Sequence, residues 1–106
     1  MSYQQRPATT EFPSFYHGYV EEAEGADLRQ ALRISEERMR GALTGIRPDQ
    51  EDHRYAPGKW SVKEVVQHVI DGERIFAYRA LRFARNDSTA LPGFEENDYV
   101  PASRCE

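Results

Sequence analysis

The stretch from Trp60 to Asp87, WSVKEVVQHVIDGERIFAYRALRFARND, constrains this chain more than any other. Ser61 and Glu64 stand in the S-x-x-E relation of a capping box. The hydroxyl accepts from one orphan amide of a helix start while the carboxylate reaches back to another. The pattern predicts a helix from Ser61 to about residue 86. Between Val62 and Arg85 there is no proline and a single glycine, so the rod is about 36 Å long at 1.5 Å per residue.

Steps of roughly 100° per residue place Val62, Val65, Val66, Val69, Phe76, Ala77, Ala80, Phe83 and Ala84 on one face, which Ile70 and Leu81 widen. Such an arc exceeds the stripe that a helix buries on one neighbour, so partners are expected on two sides. Glu73 falls near the middle of the arc. A carboxylate there is costly to desolvate without compensation, so Glu73 is expected to be paired, with Tyr, Arg or Lys of the 47–60 connection as the source. His68 lies at the flank of the arc and Asp71 one turn on. His68 has two readings: a boundary imidazole bonded to a neighbour, or a metal ligand facing a cleft, its second ring nitrogen oriented by a carboxylate.

The run Lys59-Trp60-Ser61-Val62-Lys63-Glu64, then His68-Val69-Ile70-Asp71, then Glu73-Arg74-Ile75-Phe76-Ala77-Tyr78-Arg79-Ala80-Leu81, resembles the DinB-like (DinB/YfiT) superfamily. The similarity extends upstream into Tyr55-Ala56-Pro57-Gly58 and downstream through Leu91-Pro92-Gly93-Phe94 to Asp98-Tyr99-Val100. The resemblance implies an all-α fold, here the N-terminal half of an up-down four-helix bundle. Its long helices span about 27–45 and 61–86, with a short helix near 13–21 and a C-terminal loop, and residues 1–106 form a single partial domain. It further implies a divalent metal, zinc or nickel, on three histidines, with possible thiol-transferase-type chemistry when the bundle is complete. His68 matches the first ligand, with Asp71 as its supporting carboxylate. The other two ligands form an H-x-x-x-H pair with no match here, since His17 and His53 lie upstream without an i, i+4 partner. Metal binding by this chain is therefore expected to be weak or absent, and the chain alone inactive.

The remaining sequence bounds these readings. A chain of 106 residues with 39% hydrophobic and 30% charged residues allows one domain with a modest core. The net charge of −4 argues against a nucleic-acid backbone as partner. No apolar run approaches the roughly 18 residues of a membrane span, and the polar N-terminus lacks the apolar core of a signal peptide, so a cytoplasmic location without membrane attachment is expected. Cys105 is the only cysteine, which rules out an intrachain disulfide.

In order along the chain, residues 1–12 should form an extended arm, and the aromatic cluster Phe15, Tyr16 and Tyr19 a helical turn capping a core. Asp27, with Gln30 three residues on, opens an amphipathic helix closed near Gly45, with an Arg33–Glu37 pair on its outer face. Pro48 starts one helical turn through the acidic Asp49–Asp52 stretch, and Tyr55 and Trp60 should pack on the long helix. Leu91, Phe94, Tyr99 and Val100 are too apolar for a free tail, so the last loop should fold back. A second reading follows: a non-catalytic helical interaction module that completes its bundle as a homodimer, or with the missing C-terminal half. An open reading frame past Glu106 containing H-x-x-x-H would favour the metal protein, and a stop there the interaction module.

Overall fold

The computed structural model describes residues 5–105. Among them the chain is all helical, without a strand: a 3-10 turn at Ser14–Tyr16, α1 at His17–Glu22, α2 at Leu28–Thr44, a 3-10 turn at Pro48–Gln50, α3 at Val62–Ala84 and α4 at Glu96–Ala102. They fall into two compact units, Met1–Ile46 and Arg47–Glu106. No helix is long and apolar enough to cross a membrane.

In the first unit, Asp27 caps α2 by accepting from the Gln30 amide at 2.8 Å, and the Gln30 side chain in turn accepts from the Ala26 amide. Arg38 reaches back from α2 to Glu24 at 2.6 Å. Between them Gly25 adopts φ +128°, and a Cβ there would stand 2.7 Å from the Ala31 amide nitrogen, so the chain turns into α2 only where a side chain is missing. The Arg6 guanidinium ties the preceding arm down by donating to the carbonyls of Val20 and Ala23. The first four residues of the expected arm lie outside the described residues. The helical turn at the aromatic cluster forms, but it does not cap a core. Phe15 and Tyr16 pack edge to face at 5.1 Å, and Phe15 and Tyr19 stay largely exposed. On α2 the i, i+4 ion pair is Glu36–Arg40 at 2.8 Å in place of the expected Arg33–Glu37.

The second unit is built around α3, whose first-turn donors are all satisfied. The Glu64 amide donates to Ser61 Oγ at 3.2 Å and the Ser61 amide to Glu64 Oε2 at 2.7 Å, the reciprocal pair of a capping box. The Val62 and Lys63 amides donate to the carbonyls of His53 and Glu51, both at 3.1 Å. The connection before the helix therefore wraps its N-terminus, and Ser61 is left only 1% exposed. At the other end Asn86 takes the left-handed conformation, φ 53°. Its amide donates to Phe83 and that of Asp87 to Arg82, the two bonds of a Schellman motif, with asparagine where glycine is usual.

The segment after Asp87 folds back as expected, but it is more than a loop, because Glu96–Ala102 forms α4 against α3. Arg79 donates to the Pro92 carbonyl at 3.1 Å and lies over the rings of Phe76 and Phe94. Arg82 donates to the Thr89 carbonyl, and its Nε lies 2.6 Å from Asp87 Oδ2; that N–H is not aligned on the oxygen, so the contact is an ion pair. Val100 of α4, 4% exposed, is the buried apolar residue of this unit. The returning segment thus covers the side of α3 that carries Gln67, Asp71, Arg79 and Arg82. The opposite, apolar side, with Val65, Val69, Phe76 and Phe83, remains exposed.

Candidate functional site

Contacts of Asp52, Arg54 and Trp60, which precede α3, frame the turn of the helix that leads to His68. Arg54 donates through Nη1 to the Lys59 carbonyl and to Glu64 Oε2, both at 2.6 Å, and through Nη2 to Glu64 Oε1 at 3.2 Å. Lys63 closes on Asp52 at 2.6 Å. Trp60, immediately before the cap, lays its ring against that of His68, with centroids 5.0 Å apart and planes inclined at 49°. His68 is half-buried as a result.

The arrangement has a clear electrostatic signature. The carboxyl of Glu64 is held down at about 2, first by the hydrogen bond from Arg54 and then by the Ser61 amide. It is a carboxylate throughout the neutral range and a structural one, occupied by the helix cap and the arginine.

The other candidate residues lie apart from His68. The Asp71 carboxylate accepts from Gln67 Nε2 at 3.0 Å, and no bond from the His68 ring to it is formed among the described residues. Gln67 Oε1 faces Cys105 Sγ at 4.0 Å, and that thiol is free, next to Ser103 Oγ at 3.1 Å. Glu73 is exposed on the apolar side of α3, and the expected pairing is not made: of the two arginines of the 47–60 connection, Arg54 pairs with Glu64 and Arg47 with Asp49. His53 lines a shallow groove of about 330 Å³ with Tyr55, Lys59, Trp60 and Asn97. Tyr55 does not pack on α3 as expected; it is 78% exposed, with the Lys59 ammonium 6.0 Å from its ring centroid. His17 pairs with Glu21 on α1 at 3.2 Å.

A catalytic divalent ion takes three protein ligands and keeps an open position. Among the described residues no group of three His, Cys, Asp or Glu side chains converges on one point. His68 is a lone imidazole against an indole, with its nearest helical carboxylate engaged by Gln67. These residues do not by themselves fit the ion.

Comparison with known proteins adds what geometry does not. The family model of the DinB superfamily matches residues 31–103, through α2, α3 and α4. The chain belongs to the DinB superfamily. A curated DinB relative from Geobacillus thermodenitrificans (strain NG80-2), described as a putative metal-dependent hydrolase, is 29% identical over 70 residues, covering 66% of this chain and 39% of that protein. The chain thus spans about two fifths of that relative's length. No solved structure matches. Two features of this DinB chain have little or no signal in its sequence: nothing marks Arg54 as the partner of a residue ten positions on, and nothing marks His68 as the ring that Trp60 meets on the long helix.

Proposed function

We propose that this DinB chain is a helical scaffold that contributes one imidazole, His68, to a divalent-metal centre whose remaining ligands come from outside the described residues. The observation that carries this reading is His68 itself. It is half-buried against Trp60, on a helix whose start is fixed by the Ser61–Glu64 box and Arg54. A ligand residue benefits from such a frame, because a side chain locked by packing loses less freedom on coordination. Asp71 would support the ring only after release from Gln67.

Zinc or nickel suits an imidazole-based site. The description of the Geobacillus relative supports metal-dependent hydrolysis as the reaction class of the completed protein, and the family resemblance supports thiol-transferase-type chemistry. Both need three protein ligands and an open position, so neither is assigned to this chain alone. A cytoplasmic location belongs to the same proposal, supported by a lone free thiol that suits a reducing compartment.

Calorimetric titration with zinc and nickel chloride tests the reading on two polypeptides: the 106-residue chain, and the same chain extended by a helix bearing an H-x-x-x-H pair. The expected result is stoichiometric binding by the extended polypeptide alone, lost on His68→Ala. One tightly held ion per 106-residue chain, or binding by the extended form that survives His68→Ala, would overturn it.

A further inference from the structure

The groove ahead of α3 takes its shape from the chain that enters the helix. Ala56-Pro57-Gly58-Lys59 is a type II turn: the Lys59 amide donates to the Ala56 carbonyl at 3.2 Å, proline holds the second position, and Gly58 holds the third at φ +76°. The turn brings Tyr55 and Lys59 together, with the Lys59 ammonium 6.0 Å from the Tyr55 ring centroid. Trp60 follows, and the part of its indole that is not laid against His68 forms a wall. His53 and Asn97 complete the polar lining, in a volume of about 330 Å³. Every lining residue belongs to the second unit, so the groove is built without any residue of the first.

Its charge follows from which side chains are already paired. The chain carries a net charge of −4, yet no carboxylate lines the groove. Asp49, Asp52 and Glu64, acids of the same segment, are held by Arg47, Lys63 and Arg54. Among the described residues the Lys59 ammonium makes no ion pair, and neither the His53 ring nor the Trp60 indole N–H donates to a protein acceptor. Three donors thus line a groove walled by two aromatic rings.

That combination selects among ligands. A cation is repelled by Lys59. A phosphate dianion is best met by a guanidinium fork, and the arginine at hand, Arg54, is closed on Glu64 and the Lys59 carbonyl. A carboxylate matches one ammonium with flanking N–H donors, and a flat ring matches the phenol and the indole. The volume lies near the lower end of small-molecule sites, roughly 300–1,000 Å³, which restricts the ligand to one or two rings. We infer that this groove is a binding site for a small aromatic carboxylate, its ring against Tyr55 and Trp60 and its carboxylate on Lys59. His68 is not part of the lining, so the inference does not rest on the metal reading.

Trp60 is the only tryptophan of the chain and reports on this groove directly. Benzoate, benzamide and acetate separate the contribution of the ring from that of the charge. Each is titrated into the 106-residue chain in the presence of EDTA. Binding is read from Trp60 fluorescence and from the indole N–H cross-peak of the nitrogen–proton correlation spectrum. Benzoate is expected to bind saturably with a dissociation constant of about 1 mM or below, and benzamide and acetate about tenfold more weakly. Lys59→Met keeps the main-chain carbonyl that Arg54 holds and should lower benzoate affinity about tenfold. Tyr55→Ala should lower it about threefold, and circular dichroism confirms that both variants keep their helix content. No saturable response to benzoate in either readout, benzamide binding as tightly as benzoate, or a benzoate affinity that Lys59→Met leaves unchanged would each overturn the inference.

Discussion

Arg54 and Glu64, ten positions apart, meet in a two-pronged ion pair with N–O distances of 2.6 and 3.2 Å, and the same guanidinium also holds the Lys59 carbonyl. One side chain thus joins the connection, the residue before Trp60 and the helix cap. Glu64 serves two partners at once, because its Oε2 accepts from both Arg54 and the Ser61 amide. Removing its charge weakens the ion pair and the cap together.

The acid response follows in sign. The folded carboxyl titrates at about 2, below its ordinary 4.5. The stabilisation it contributes is therefore complete above pH 4.5 and is lost as pH falls from there toward 2. Helix content followed by circular dichroism should decline through that window. In Glu64→Gln the decline should be shallower, starting from lower stability at neutral pH.

Ser61→Ala should destabilise the second unit by about 1–2 kcal/mol, near the upper end for a helix N-cap because the site is buried. Chemical denaturation measures the loss, and hydrogen exchange should locate it at the Glu64 amide. Ser61→Thr retains the oxygen and should recover part of the stability.

Two glycines should respond in opposite directions to alanine. Gly25→Ala places a Cβ 2.7 Å from backbone at φ +128° and should cost more than about 1 kcal/mol. Gly72 sits inside α3 with nothing within 4 Å of a new Cβ, so Gly72→Ala should stabilise the helix by about 0.5–1 kcal/mol. Thermal melts of the two variants should shift to opposite sides of the wild type.

Val100→Ala should cost about 1–3 kcal/mol by emptying the one buried apolar position among the described residues of the second unit. Limited proteolysis should then cut first between residues 88 and 103, as α4 loses its hold on α3. A matching change at Phe83, which is already exposed, should leave the protease pattern as it is.

The two long helices were legible because their signals are local and redundant. Asp27 with Gln30 and Ser61 with Glu64 mark the starts, and the apolar periodicity runs long enough to outweigh single polar residues. Helix α4 was hidden because seven residues hold too few turns for a period to emerge, and Pro101 within them reads as a breaker. The side of α3 that the chain covers with its own residues was also hidden. The returning segment binds there through arginines donating to the Thr89 and Pro92 carbonyls, and backbone acceptors leave no trace in a hydropathy pattern. At the candidate site the sequence located His68 and Asp71 on one helix, but the competition of Gln67 for Asp71 depends on rotamers that spacing does not encode.

Both ends of α3 are fastened by neighbours close in sequence, residues 51–54 ahead of it and 87–92 behind. Loops that short close in well under a microsecond, so the rod can set its register without waiting for any distant contact. Whatever later packs on α3 then meets a helix already in shape, its ordering cost met beforehand by local bonds.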